Sequence, residues 1–161
     1  MNPEIRLLSE KKIIGTYRKM SYSNNTTRAL WQSFMPLKKQ IKNTLGSDLY
    51  SMQIYNSITD FNDLDPQTEF TKWAAIGVEN FEFIPDTLNT YTLKGGLYAV
   101  FLHKGLASEF QKTFDGIFKD WLPTSDYTLD NREHFELLGE KYSPTNPNSE
   151  EEIWIPIKLK K

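Results

Sequence analysis

No cysteine occurs among the 161 residues of this sequence, so the chain forms no disulfide and offers neither a thiolate metal ligand nor a cysteine nucleophile. Histidine is nearly as scarce. His103 and His134 are the two, and neither is spaced with other ligands as a metal site requires. No Ser-His-Asp arrangement can be assembled from the spacing, and Gly95-Gly96 is followed by neither the lysine nor the helix start of a phosphate loop. No apolar run approaches the ~18 residues of a membrane span, and no basic-then-apolar leader opens the sequence. A soluble, cytoplasmic chain without membrane contact is expected. An excess of one charge is lacking too. The formal net charge is −2, and the basic clusters Lys11-Lys12, Lys38-Lys39 and the tail from Lys158 to Lys161 are short. Such a chain has no electrostatic footprint for nucleic acid, so no direct nucleic-acid binding is expected.

Aromatic residues are plentiful instead, at 14% of the chain. Most must pack a core, yet the same supply suits an aromatic-lined cavity. The length fits one domain spanning 1–161, large enough to bury roughly 70% of its unfolded surface without staples.

The pattern of apolar residues predicts two similar halves. Glu4 to Met20 reads as a strand, with Gly15 as a bulge or bend. Thr26 or Thr27 then caps a helix whose buried face is Leu30, Phe34, Leu37, Ile41 and Leu45, kinked at Pro36 and stopped at Gly46. Strands follow over Leu49 to Asn56 and Phe70 to Glu79, separated by a polar loop over residues 57–68. From Leu97 the order begins again: a strand to Gly105, a helix face of Leu106, Phe110, Phe114, Ile117, Phe118 and Trp121 ended by Pro123, then two terminal strands. Pseudo-repeats of about 1–82 and 86–161 place two helices on one face of a sheet and a groove where the halves meet.

Within the last third, Glu136 stands between apolar neighbours in Arg132-Glu133-His134-Phe135-Glu136-Leu137-Leu138. Strand alternation puts it on one face with His134 and Leu138. A carboxylate so placed is either paired with a neighbouring Lys or Arg, or it lies in a pocket that selects positive charge. Trp31, Tyr55, Trp73, Phe101, Trp121 and Trp154 are candidate walls for such a pocket, since flat rings accept apolar ligands and their faces attract cations; each is equally a candidate for simple core. The run Glu150-Glu151-Glu152 reads as a solvated edge that starts the last strand, with a metal or partner contact as the lesser alternative.

Trp121-Leu122-Pro123-Thr124-Ser125-Asp126-Tyr127, Arg132 to Glu136 and Glu151-Glu152-Ile153-Trp154-Ile155-Pro156-Ile157 resemble the C-terminal half of the gyrase-inhibitor-like (GyrI-like) small-molecule-binding domains. These also serve as effector-binding domains of AraC-type transcription regulators. Leu30 to Phe34, Tyr55, Trp73-Ala74-Ala75 and Gly95 to Phe101 resemble the earlier segments. The chain departs from the family pattern at Asp126, where Gly is usual, and at Glu133, where Pro is usual. The resemblance implies an α+β fold of duplicated strand-helix-strand-strand units, an antiparallel sheet with two helices on one face and a central ligand cleft. It implies binding of hydrophobic, often cationic, compounds without a cofactor, with Glu136 as the cleft carboxylate and Tyr55 on a bordering strand. A stand-alone binder is the leading expectation. The alternative it implies is a hydrolase of cyclopropane-bearing toxins, with Glu136 as general base and Tyr55 polarising the substrate. A protein partner such as a regulator or a topoisomerase is a third expectation, for which no residue identifies a surface.

Overall fold

A computed structural model describes residues 2–57 and 61–161, so residues 58–60 of the expected polar loop lie outside the described residues. Where the sequence suggests one strand over Glu4 to Met20 there are two, β1 (Glu4–Leu8) and β2 (Lys11–Met20), separated at Ser9-Glu10. Gly15 makes no bulge in β2: it pairs in register with Ala75 on one side and Asn89 on the other. Its lack of a side chain serves a close approach instead. A Cβ there would sit 2.6 Å from the Cβ of Ala75 and collide with the carbonyl oxygen of Ala74.

Helix α1 (Thr27–Phe34) is shorter than expected. Pro36 has no amide to donate, and the chain leaves the α-helix before it, passing through a 3-10 turn at Lys38–Gln40. Leu45 and Gly46 consequently belong to β3 (Thr44–Ile54), whose pairing slips between Thr44 and Leu49. Next come β4 (Phe70–Val78), β5 (Asn89–Leu93) and β6 (Gly96–Lys104). Helix α2 (Phe110–Asp115) then widens at Gly116 into a π-helical turn, Gly116–Trp121, and closes with Leu122–Thr124, one residue beyond Pro123. The chain ends in β7 (Tyr127–Leu129), β8 (His134–Leu138) and β9 (Glu150–Leu159).

Among the described residues these strands form a curled antiparallel sheet in the order β1-β6-β9-β8-β3-β4-β2-β5, with β7 paired to the end of β9. The two central strands, β3 and β8, pair from Leu49 opposite Leu138 to Gln53 opposite His134. Both helices lie on one face. Leu30 and Phe34 of α1 pack on Ile14, Ala74 and Ile76; Ile117 and Phe118 pack on Ala99, Phe101, Ile153 and Ile155. The other face of the sheet curls around a third apolar cluster that contains Met52, Trp73, Tyr98, Phe135 and Trp154.

Glu133, one of the two departures from the family pattern, is buried under this curl. Its carboxylate accepts a hydrogen bond from the Tyr91 hydroxyl at 2.7 Å, and its backbone carbonyl accepts one from Tyr98 at 2.8 Å. Beside it, Arg132 donates to Asp130 at 2.6 Å and to the carbonyls of Gly95, Leu97 and Ile157, which ties the start of β8 to β6 and β9.

The close approach at Gly15 yields a test. Gly15→Val should destabilise the chain by ~3 kcal/mol or more, because strand β4 must move to admit the side chain. A chemical-denaturation midpoint unchanged from wild type would contradict this packing.

Candidate functional site

Strand register builds the site. Residues opposite one another in neighbouring strands project from the same face. Ser51 lies opposite Glu136, Gln53 opposite both His134 and Lys72, and Glu136 opposite Ile153. Four adjacent strands therefore bring Lys72, Gln53, Glu136 and Glu151 to the helix-bearing face, midway between α1 and α2. Over this strip lies a cleft of about 470 Å³. Its walls are Trp31 of α1, Tyr22 and Tyr55 on one side, and Phe110, Phe114 and Tyr142 on the other.

The polar floor is closely coupled. Glu136 Oε1 accepts a hydrogen bond from Gln53 Nε2 at 3.1 Å and faces Lys72 Nζ at 3.8 Å. Burial pulls the Lys72 ammonium below the usual lysine range, while Glu136 and Glu151 work against that shift. Glu151 is pushed up to about 7 by burial and by the charge of Glu136, with Lys72 opposing. The Tyr55 hydroxyl pairs with that of Tyr22 at 2.7 Å, and burial, then the neighbouring Tyr22, keeps Tyr55 protonated well above its ordinary range. His134, packed edge-on to Tyr55 and to Phe61, is held neutral: burial and then the charge of Arg132 bring it down to about 3.

Of the residues singled out in the sequence, Glu136, Tyr55 and Trp31 meet in this cleft. Trp73, Trp154, Phe101 and Trp121 do not line it. Because Lys72 takes the cleft face of β4, Trp73 takes the other, where it packs against Tyr17 and Tyr91. Trp154 alternates with Ile153 and Ile155 in the same way, and stacks on Phe135 at 5.1 Å. Phe101 and Trp121 share the helix side but contact each other edge-to-face at 5.1 Å beneath α2. Neither Lys72 nor Glu151 was anticipated. A lysine immediately before the apolar run Trp73-Ala74-Ala75-Ile76, within the same strand, was the available signal for Lys72; Glu151 was hidden in a run of acids that reads as solvated. Among the described residues, no group of three or more His, Asp or Glu side chains is placed to hold a metal ion.

Glu151 makes stability depend on pH. Its folded-state pKa lies above the ordinary 4.5, so its contribution is fully present below about pH 4.5 and is lost as pH rises through about 7. Glu151→Gln should remove this loss and be more stable than wild type at pH 8 by ~1–2 kcal/mol, a figure discounted for the group's partial exposure. Thermal unfolding at pH 5 and pH 8 checks it; identical pH profiles for the two proteins would refute the assignment.

Known proteins share this architecture. The sequence pattern of the GyrI-like small molecule binding domain matches residues 1–158. The transcriptional regulator BrlR of Pseudomonas aeruginosa is 24% identical over 146 residues, which are 90% of this chain and 51% of that protein, so the chain spans about half the length of this relative. Among solved structures, SAV2435 bound to tetraphenylphosphonium superposes with a TM-score of 0.75 at 15% identity, over 98% of this chain and 94% of that one. A hydrolase encoded by lin2189 from Listeria innocua superposes with a TM-score of 0.61 at 13% identity, over 98% and 92% of the two chains. With its sequence matched almost from end to end and its curled sheet and two helices shared with these structures, the chain belongs to the GyrI-like small-molecule-binding domain family.

Proposed function

We propose that the cleft between α1 and α2 is the ligand site, and that it takes hydrophobic compounds with a cationic group. The observation that carries this reading is a cavity of about 470 Å³ with aromatic walls and two carboxylates, Glu136 and Glu151, on its floor. Rings supply apolar area and a negative face, and a carboxylate in a poorly hydrated site favours positive charge. The ligand named for SAV2435, a lipophilic cation, supports the same chemistry. In this reading the chain is one domain made of two related halves. The mirrored strand order about the β3-β8 pair, with β2-β4-β3 answering β6-β9-β8, supports a duplicated unit and a site at its seam. The role we assign is that of an effector-binding module, as the likeness to a transcriptional regulator suggests.

Hydrolysis is the second reading, favoured by Glu136 and the Tyr55-Tyr22 hydroxyl pair in one cleft and by the fold shared with a hydrolase. Against a free general base stands the engagement of Glu136 Oε1 by Gln53 and Lys72.

Thermal unfolding with tetraphenylphosphonium tests the binding reading. At 100 times its dissociation constant the ligand adds ~2.7 kcal/mol of stability, and Glu136→Gln should weaken its binding by about tenfold. Unchanged affinity in Glu136→Gln and in Glu151→Gln would remove the acids from the site. For hydrolysis, a cyclopropane-bearing substrate consumed beyond one equivalent and recovered as its water adduct would make the chain an enzyme.

A further inference from the structure

Lys72 is the buried cation of the cleft, held by charge alone. It stands on β4 with 5% of its surface exposed, and its nearest carboxylate oxygen, Glu136 Oε1, is 3.8 Å away. That exceeds the roughly 2.7–2.9 Å of a charge-assisted hydrogen bond. Among the described residues the ammonium makes no hydrogen bond. An ammonium has three donors and no acceptor, and buried charges persist where they are both paired and hydrogen-bonded. The oxygen facing it is already shared with the Gln53 amide. Arg18, the cross-strand partner of Lys72 on β2, adds a second positive charge to the same face. Burial draws the Lys72 ammonium below the usual lysine range, and Glu136 and then Glu151 offset only part of that shift.

A bare cation entering this cleft competes with Lys72 for Glu136 and leaves the ammonium with the more distant Glu151 alone. An uncharged arene fills the walls and changes nothing at the floor. A ligand with both an oxygen anion and a cation gives every charge a partner: the anion receives the Lys72 donors, and the cation faces Glu151 or Glu136.

We propose that Lys72 is a specificity-determining residue that supplies an anion subsite in the floor of the cleft, so that this chain prefers zwitterionic aromatic compounds, carrying a carboxylate or phenolate, over simple lipophilic cations. The inference rests on the cleft being the ligand site and refines the ligand class proposed for it.

A matched pair of probes tests it: a naphthylmethyl trimethylammonium salt and the same compound bearing a ring carboxylate, titrated calorimetrically into the full chain, with tetraphenylphosphonium as a third ligand. Wild type should bind the carboxylated probe about tenfold or more tighter than the bare cation, the worth of one hydrogen-bonded charge. Lys72→Met, which keeps the length of the side chain, should reverse that order, and Lys72→Gln should abolish it. Equal affinity for the pair in wild type, or a preference that survives in both variants, overturns the role of Lys72. Binding of tetraphenylphosphonium and the bare cation with rejection of the carboxylated probe overturns the proposal and leaves the cleft reading standing. No binding by any of the three overturns both.

Discussion

The antiparallel pairing of β3 with β8 is the constraint on which the molecule depends. It joins the strands of the first half to those of the second, and it fixes which side chains can meet. A slip of one residue in this register would exchange the faces of every side chain on one partner. Glu136 would then point into the cluster of Met52, Trp73 and Trp154, and Phe135 would face the helices. The apolar cost of that exchange holds the polar floor in place. The site is thus specified by burial on the opposite side of the sheet rather than by attraction among its own charges.

The interruptions in the helices follow from the same geometry. Each helix covers a different part of the sheet, α1 over β2 and β4, and the helical segment that continues α2 over β6 and β9. Pro36 ends α1 after two turns, and the widened turn from Gly116 lets Ile117 and Phe118 both point toward the sheet while Phe114 remains in the wall of the cleft. A longer, straighter α1 carrying its apolar stripe to Leu45, as the sequence periodicity suggests, would leave no room for the irregular entry into β3. Tertiary packing overrides a weak periodic signal here.

Much of this was legible in the residues and some was not. The sharing of one face by His134, Glu136 and Leu138 follows from alternation alone, and the order of the longer strands and the helices follows from apolar periodicity, whereas the break between β1 and β2 and the short β7 do not. Tyr55 and Trp31 were reachable as aromatic candidates, but nothing local distinguishes them from Trp73 or Trp154, because a ring looks the same in a wall and in a core. Facing is decided by register with strands distant in sequence. Lys72 illustrates the limit: its place beside Glu136 depends on two pairings, β4 with β3 and β3 with β8, that no short window contains. Glu133 was visible as a departure from the family pattern, yet its hydroxyl partner, Tyr91, comes from the far edge of the sheet.

The four tryptophans are divided by the sheet in a way that gives the protein two optical reporters. Trp73 and Trp154 are enclosed among Tyr17, Tyr91, Tyr98 and Phe135, and Trp121 leans on Phe101 under the second helix. Their emission belongs to the folded core. Trp31 alone among them borders the cavity, edge-on to Phe34, so its indole is the one whose surroundings an occupant replaces directly. Fluorescence from the enclosed rings therefore follows the integrity of the fold, and fluorescence from Trp31 would follow the filling of the cleft proposed as the ligand site.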